Sequence, residues 1–547
     1  MSVLVIGADE ITPIRAVLHD LGAKKIEHWD ARNENRVNRK PIPCDTECIV
    51  MLTSFLNHNT MKKIKNEAKK RKIPLVCAKR SVSCVYCDIG ELEISDEVYY
   101  GVQTFRAVEN FDISHDRLKD FPRFVRALAR VKKAAAMANH ELGLLDKNIQ
   151  DAIIKACDKI LEGGYYDQFV VDMIQGGAGT STNMNANEVI ANIGLELMGH
   201  KKGEYQYLHP NDHVNLSQST NDAYPTALHL ALHDYLSDLA KAMEHLKKAY
   251  ERKAEEFKDV LKMGRTQLQD AVPMTLGREF KTFAVMIGED IQRVLEARKL
   301  ILEINLGGTA IGTGINSHPD YPKVVERKIR EVTGFEYTVA EDLIEATQDT
   351  GAYVQISGVL KRVATKLSKV CNDLRLLSSG PKCGLNEINL PKMQPGSSIM
   401  PGKVNPVIPE VVNQVCYFVI GADVTVTFAC EGGQLQLNVF EPVVAYSLFN
   451  SVVMLEKAMY TLADKCIDGI TANEKICSDF VYNSVGIVTA LNPYIGYENS
   501  ASIAKEAMNT GKRVADIALE RGLLSKEQID EILTPSNMLN PHMEAKK

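Results

Sequence analysis

The chain is poor in aromatic residues and has no surplus of positive charge. Aromatics make up 6% of its 547 residues, with a single tryptophan, Trp29, and the formal charge is 64 − 70 = −6. A chain built to grip nucleic acid carries a basic stripe, so that class is excluded. The opening Met-Ser-Val-Leu-Val-Ile-Gly has no basic stretch ahead of a long apolar run and a small-residue cleavage site, which predicts no signal peptide. No stretch of about 18 uncharged, predominantly apolar residues is found, which predicts no membrane-spanning helix. The P-loop, the zinc-protease helix motif and the serine-hydrolase elbow are all missing. The 12 cysteines are scattered. A chain this long buries enough surface to fold without disulfides, so thiols in a reducing cytoplasm are expected.

What is present divides the chain unevenly. In residues 1–93, short apolar runs alternate with helical spacing. Ser2–Ile6, Lys25–Trp29, Cys48–Leu52 and Pro74–Ala78 read as strands, Thr12–Leu21 as a helix, and Asn59-Thr60 as the cap of a basic helix over Met61–Arg71. Strands alternating with helices predict a small parallel α/β domain. From about residue 115 the pattern is almost purely helical. Tyr353, Ile356, Leu360, Val363, Leu367, Val370, Leu374 and Leu377 form an unbroken heptad seam. Leu228 through Tyr250 forms a second seam, starting just after Pro225, and Phe280 through Val294 a third. Val407–Thr427 and Val443–Ile470 are long and apolar. Five long helices predict a bundle, and helices of about 35 residues reach about 50 Å. One subunit rarely covers such lengths, so the bundle is expected to continue into other subunits.

Four polar loops punctuate the helices. They are Gly176–Asn185, His209–Asp222, Gly264–Asp270 and Gly396–Pro406. They gather neutral donors (Thr180, Ser219, Thr220, Asn221, Thr266, Ser397, Ser398, Asn405) and two cations, Arg265 and Lys403. Most precede helices, whose N-termini add free N–H groups. Such a set suits a small anion such as a dicarboxylate. Gly396–Pro406, shaped by two glycines and two prolines, reads as a mobile lid carrying chemistry.

That last segment, Gly-Ser-Ser-Ile-Met-Pro-Gly-Lys-Val-Asn-Pro, resembles the signature of the aspartase/fumarase superfamily. The other segments match in the same order, over roughly residues 94–547. The resemblance implies a mainly α fold of three helical regions, here 94–220, 221–475 and 476–547, with the central one joining a twenty-helix bundle in a homotetramer. It also implies active sites that take loops from three subunits. Within the superfamily, Tyr99–Phe111 and Gly264–Pro273 are similar to the aspartases. Class II fumarases usually place His after the Thr of the second motif and pair it with a Glu matching Glu410; this chain has Gln267. Losing that histidine removes a water-activating pair, which favours an amine leaving group. Class II fumarate hydratase is the rival enzyme, and a non-catalytic protein on the lyase fold is the rival from another class.

The reaction implied is reversible conversion of L-aspartate to fumarate and ammonia, without a cofactor. Ser397 is the implied base for the Cβ proton. Thr180, Ser219 or Thr220, Thr266 and Ser398 match substrate-binding positions, and Lys403 and Asn405 carboxylate-binding ones. Asn221, Gln267, Glu410 and His209 are supporting, with His209 read as structural, and Glu441 of Phe440-Glu441-Pro442 is read as structural too. Some aspartases are activated by Mg²⁺, but no ligand cluster commits this chain to it. Gly277-Arg278-Glu279-Phe280 departs from the Gly-Gln-Glu-Phe of many relatives.

Residues 1–93 are no part of such a lyase. They resemble a small Rossmann-like bacterial domain of unknown function, through Val3–Asp9, His28–Asn33, Leu52–His58 and Ala78–Ser81. Gly7 lacks the partners of a dinucleotide fingerprint. Cys44, Cys48, Cys77, Cys84 and Cys87 cluster here, and Cys84–Cys87 is a lone C-x-x-C, a weak signal for metal or redox chemistry.

Overall fold

The computed structural model describes residues 95–539 throughout and, ahead of them, residues 2–7, 22–30, 40–52, 58–71 and 73–78 with a few single positions. The chain separates into two compact units, 1–106 and 107–547. In the first, β1 (Ser2–Ile6), β2 (Lys25–Trp29), β3 (Cys48–Leu52) and β4 (Leu75–Ala78) form one parallel sheet in the order β2-β1-β3-β4. Its side chains alternate between two apolar layers. Val3, Val5, Val50 and Leu52 enter one, and Leu4, Ile6, Ile49, Met51 and Trp29 the other. Burial on both faces is what a parallel sheet requires. The helix α1 (His58–Arg71) starts earlier than its sequence suggests, so Asn59 and Thr60 sit in its first turn and do not precede it. The expected helix over Thr12–Leu21 is described only at single positions, of which Ile14 and Leu18 are buried. Cys84–Cys87 and the segments around Asn33, Ser54 and Ser81 lie outside the described residues.

The second unit is helical. Pro122–Glu141 (α2), Lys147–Leu161 (α3) and Thr180–Leu197 (α4) precede the long bundle helices α5 (Thr220–Glu256), α6 (Leu276–Leu300), α7 (Gly351–Leu377), α8 (Val407–Glu431) and α9 (Glu441–Lys465). All eight residues of the α7 heptad seam are buried. Pro225 falls inside α5, not ahead of it. A proline there leaves the Asn221 carbonyl without its helical donor. Asn305 Nδ2, from a distant segment, donates to that carbonyl at 2.9 Å instead.

By length and composition alone α8 is apolar enough to cross a membrane. Asp423 interrupts it, buried and bound by Ser357 Oγ at 2.8 Å and Lys361 Nζ at 2.5 Å on α7. One face of α8 thus packs in the bundle. Its other face leaves Tyr417, Phe418, Val424 and Phe428 exposed.

Two segments read as loops are regular structure. Gly264–Asp270 is the tip of an antiparallel hairpin, Leu261–Thr266 (β5) with Gln269–Thr275 (β6). From Thr180 onward the glycine-bearing segment is already helix α4, whose Asn183, Asn185, Asn187 and Glu188 are buried. The hairpin base contributes Leu261 and Met263 to a core shared with the short helices between Glu474 and Leu539.

Candidate active site

Thr180, Ser219, Thr220 and Asn221 come together at the starts of α4 and α5. The approach is made possible by Gly179, where a Cβ would stand 2.2 Å from the Tyr224 ring and φ is +88°. Ser219 caps α5. Its Oγ accepts from Asn221 N and from Ala310 N, both at 3.1 Å, while Asp222 Oδ1 answers Ser219 N at 2.9 Å. With both oxygen lone pairs engaged, the Ser219 hydroxyl is left to act as a donor. Thr180 Oγ1 spends its proton on Gly177 O at 2.7 Å. Thr220 Oγ1 accepts from Asn183 Nδ2 at 3.2 Å. Asn221 Nδ2 holds Ala310 O at 2.7 Å, where the backbone is strained at φ 51° and ψ −93°.

Beneath this group lies a cation that sequence reasoning missed. Lys132, on α2, is fully buried, and its Nζ meets Asn183 Oδ1 at 2.6 Å, Asn215 Oδ1 at 2.9 Å and Gln218 Oε1 at 3.0 Å. Desolvation lowers its pKa to about 7, opposed by the Asp222 charge. Burial likewise raises Asp222 to about 6, against the amides of Ser219, Gly307 and Thr309 that favour its carboxylate. The one available signal was a lysine on the buried face of an alanine-rich helix. His209 Nδ1 accepts from Asn211 N and Asp212 N at 3.1 Å, capping the turn Pro210–Val214.

The lid closes on itself at its base. Gly396 N donates to Lys403 O at 2.8 Å, and Asn405 Nδ2 to Gly396 O at 2.7 Å. A Cβ at Gly396 would stand 2.5 Å from Lys403 O, so only glycine fits. Within the lid, Ser397 Oγ accepts from Ile399 N at 3.2 Å and Met400 N at 3.1 Å. Ser398 and Ile399 are exposed. Lys403, Asn405 and Glu410 line a cavity of about 560 Å³ with Arg375, Asn386 and Asn389. Arg375, at the end of α7, is a second cation here that sequence reasoning missed. Among the described residues its Nη1 meets only amide oxygens, Asn413 Oδ1 at 3.3 Å and Asn372 Oδ1 at 3.5 Å.

Thr266 and Gln267 stand exposed at the hairpin tip, where Gln267 and Leu268 have φ of 54° and 62°. Arg265, counted from sequence among the available cations, is committed elsewhere. Its Nη1 binds the fully buried Glu387 at 2.7 Å, which also pairs with Lys262 at 3.1 Å. Lys262 in turn pairs with Glu279. Arg278 points to solvent, and its amide caps onto Thr275 Oγ1 at 3.2 Å.

The candidate residues therefore form three groups: the α4/α5 starts, the hairpin tip and the lid. No hydrogen bond or ion pair among the described residues joins the lid to Thr180 or Thr220. Nor does any group of three or more His, Cys, Asp or Glu residues among them have the geometry of a metal site.

Comparison with known proteins adds the following. A family described as lyase matches residues 90–421, and one described as the fumarase C C-terminus matches 487–540. Residues 2–92 match an uncharacterised protein family conserved in bacteria. Aspartate ammonia-lyase of Helicobacter pylori is 68% identical over 454 residues, covering 83% of this chain and 97% of that protein. Aspartate ammonia-lyase of Escherichia coli is 58% identical over 460 residues, covering 84% and 96%. Among solved structures, a fumarate lyase:delta crystallin from Brucella melitensis bound to cobalt superposes with a TM-score of 0.81 at 53% identity, covering 83% of this chain and 98% of that one. Class II fumarase from Schistosoma mansoni gives 0.79 at 36% identity, with the same coverage.

Proposed function

Because the chain belongs to the lyase family of the aspartases and fumarases, and is an aspartate ammonia-lyase within it, we propose that Ser397 is the base of the reaction and that the lid completes the site around it. The observation that carries this reading is the pair of amides, Ile399 N and Met400 N, aimed at Ser397 Oγ. A serine hydroxyl is a weak acid, and its alkoxide forms only where donors stabilise the charge. The alkoxide takes the Cβ proton, and the C–H electron pair moves into the neighbouring carboxylate. The C–N bond then breaks, ammonia departs with its electron pair, and fumarate remains.

The developing dianion needs donors already in place. Ser219 and Thr220 supply hydroxyls, Thr266 and Ser398 bring theirs from the other two groups, and Thr180 does so once it turns from Gly177 O. Lys403 and the second Nδ2 hydrogen of Asn405 hold a carboxylate. Asn221 fixes the segment at Ala310, and Glu410 and Gln267 shape the pocket. No cofactor enters this chemistry.

The three separated groups support a site built between copies of the chain. So does the exposed face of α8, an apolar patch of the kind that marks an interface. A homotetramer and a cytoplasmic location complete the proposal. The latter is supported by nine cysteines that stand as free thiols among the described residues. Fumarate release followed in the ultraviolet tests the reading: aspartate supports it in the full chain, and Ser397→Ala abolishes most of it. Sedimentation of the full chain as a monomer at enzyme-assay concentrations refutes the shared site.

A further inference from the structure

A second, smaller cavity lies in the helical unit, among Glu303–Asn305, the segment Glu345–Asp349, the first turn of α7 and the starts of α5 and α9; its volume is about 80 Å³. Four carboxylates line it, Glu303, Glu345, Asp349 and Glu441, together with His229, Asn305 and Tyr353, and neither lysine nor arginine does. Glu441 is 7% exposed, and its carboxylate has no hydrogen-bond or ion-pair partner among the described residues. The reason lies in its position on α9. A first-turn acid normally meets free backbone amides. Here Pro442 has no N–H, and the amides of Val443 and Val444 turn back to Phe440 O at 3.1 Å and 3.2 Å. Burial accordingly raises the Glu441 pKa to about 8.

Two of the other lining groups offer acceptors as well. His229 Nδ1 donates to Glu303 O at 2.7 Å, which leaves Nε2 with a lone pair. Asn305 spends both Nδ2 hydrogens, on Asn221 O at 2.9 Å and on Thr347 Oγ1 at 3.2 Å, which leaves Oδ1. Burial and repulsion from Asp349 and Glu303 raise the pKa of Glu345, the mark of carboxylates without a countercharge. A chamber with four carboxylates, two free acceptor atoms and no lysine or arginine calls for an occupant that is positive and donates hydrogen bonds. A polar cavity needs about 10–15 Å³ to hold one water, so this one has room for a water-sized ion and part of its shell.

We propose that this cavity is a binding site for a small monovalent cation that donates hydrogen bonds, ammonium, held by Glu441, His229 Nε2 and Asn305 Oδ1. Ammonia is a product of the chain's reaction, so the ion is supplied wherever the enzyme turns over. Asn305 also holds the Asn221 carbonyl, so the cavity backs directly onto the start of α5.

The test is the thermal unfolding midpoint of the full chain in NH4Cl, NaCl, KCl, tetramethylammonium chloride or MgCl2 at equal ionic strength. Ammonium should raise it by about 2 °C or more above sodium, by linkage to the folded state, and tetramethylammonium, which has no N–H, should not. The gain should vanish in Glu441→Gln and shrink in Glu345→Gln, an exposed position where folding is safe. It should persist in Ser397→Ala, which separates this cavity from the reaction site. Equal midpoints in NH4Cl and NaCl, an undiminished ammonium effect in Glu345→Gln, its loss in Ser397→Ala, or a rise with Mg²⁺ alone would each overturn the proposal.

Discussion

Replacing Ser397 tests the chemistry most directly, and the lid geometry sets the size of the effect. A positioned base contributes about 10²–10⁴-fold, so Ser397→Ala should lower kcat by at least about 10². The amides of Ile399 and Met400 allow a finer test. A hydrogen bond to a neutral hydroxyl is worth about 1 kcal/mol net, and one to a charged oxygen about 1.5–3. Each amide therefore favours the alkoxide by about 1–1.5 kcal/mol over the hydroxyl, and two lower its pKa by about 1.5–2 units. Met400→Pro removes one donor and leaves the serine in place. It should cost about tenfold in kcat with KM little changed, because the bond tightens only as charge develops. Initial rates of fumarate formation over a range of aspartate concentrations and pH give both parameters. If Ser397→Ala keeps near-wild-type turnover, or Met400→Pro raises KM alone, the base assignment is wrong.

Lys132→Met should destabilise the chain by about 3 kcal/mol in urea unfolding, since three buried amide oxygens lose a charged donor. It should also raise KM for aspartate through Asn183 and Thr220; an unchanged KM would show the cage to be structural only. Leu268→Gly should stabilise by up to about 1 kcal/mol, because an exposed leucine at φ 62° is replaced by the residue that prefers that conformation; a lower unfolding midpoint would contradict the strain. Glu441 carries a pH signature. Its folded pKa of about 8 lies above the ordinary carboxylate value of 4.5, with His229, Glu303, Glu345 and Asp349 around it. The unfolded chain ionises it first, so its contribution is complete below pH 4.5 and lost as pH rises toward 8. Glu441→Gln, neutral throughout, should therefore gain on wild type across that window in sodium salts, by at most about 5 kcal/mol; a difference independent of pH would refute the burial argument.

Periodic features of this fold could be read from the sequence, because each is satisfied locally. The α7 seam needs only its own 3–4 spacing to mark the buried face, and β1 to β4 need only short apolar runs. Features completed by distant partners could not. Pro225 reads as the boundary of a helix because its vacated carbonyl is answered by Asn305, about eighty residues on. The hairpin reads as a loop because its turn places Gln267 and Leu268 at positive φ, where Asn-Gly would have signalled it. The candidate site divides in the same way. The motifs single out Thr180, Thr220, Thr266 and Ser397 as candidates, whereas Lys132 and Arg375 stand in ordinary helical surroundings. Their partners Asn183, Asn215, Gln218 and Asn413 are brought in by the fold.

At the proposed site, how a chain of net charge −6 attracts a dicarboxylate follows from which cations remain uncommitted. Arg265 is paired with Glu387, and Lys132 is enclosed by amides. Lys403 and Arg375 face the same cavity, and neither forms an ion pair among the described residues. At about 4 Å and an effective dielectric near 20, one such cation attracts a carboxylate by about 4 kcal/mol. The diffuse negative charge acts from farther off and is screened beyond about 8 Å at physiological salt. Two nearby cations therefore outweigh the net charge at the site. The buried Glu387 serves the same end, since by holding Arg265 it keeps the hairpin that presents Thr266 anchored against the segment lining the Lys403 cavity.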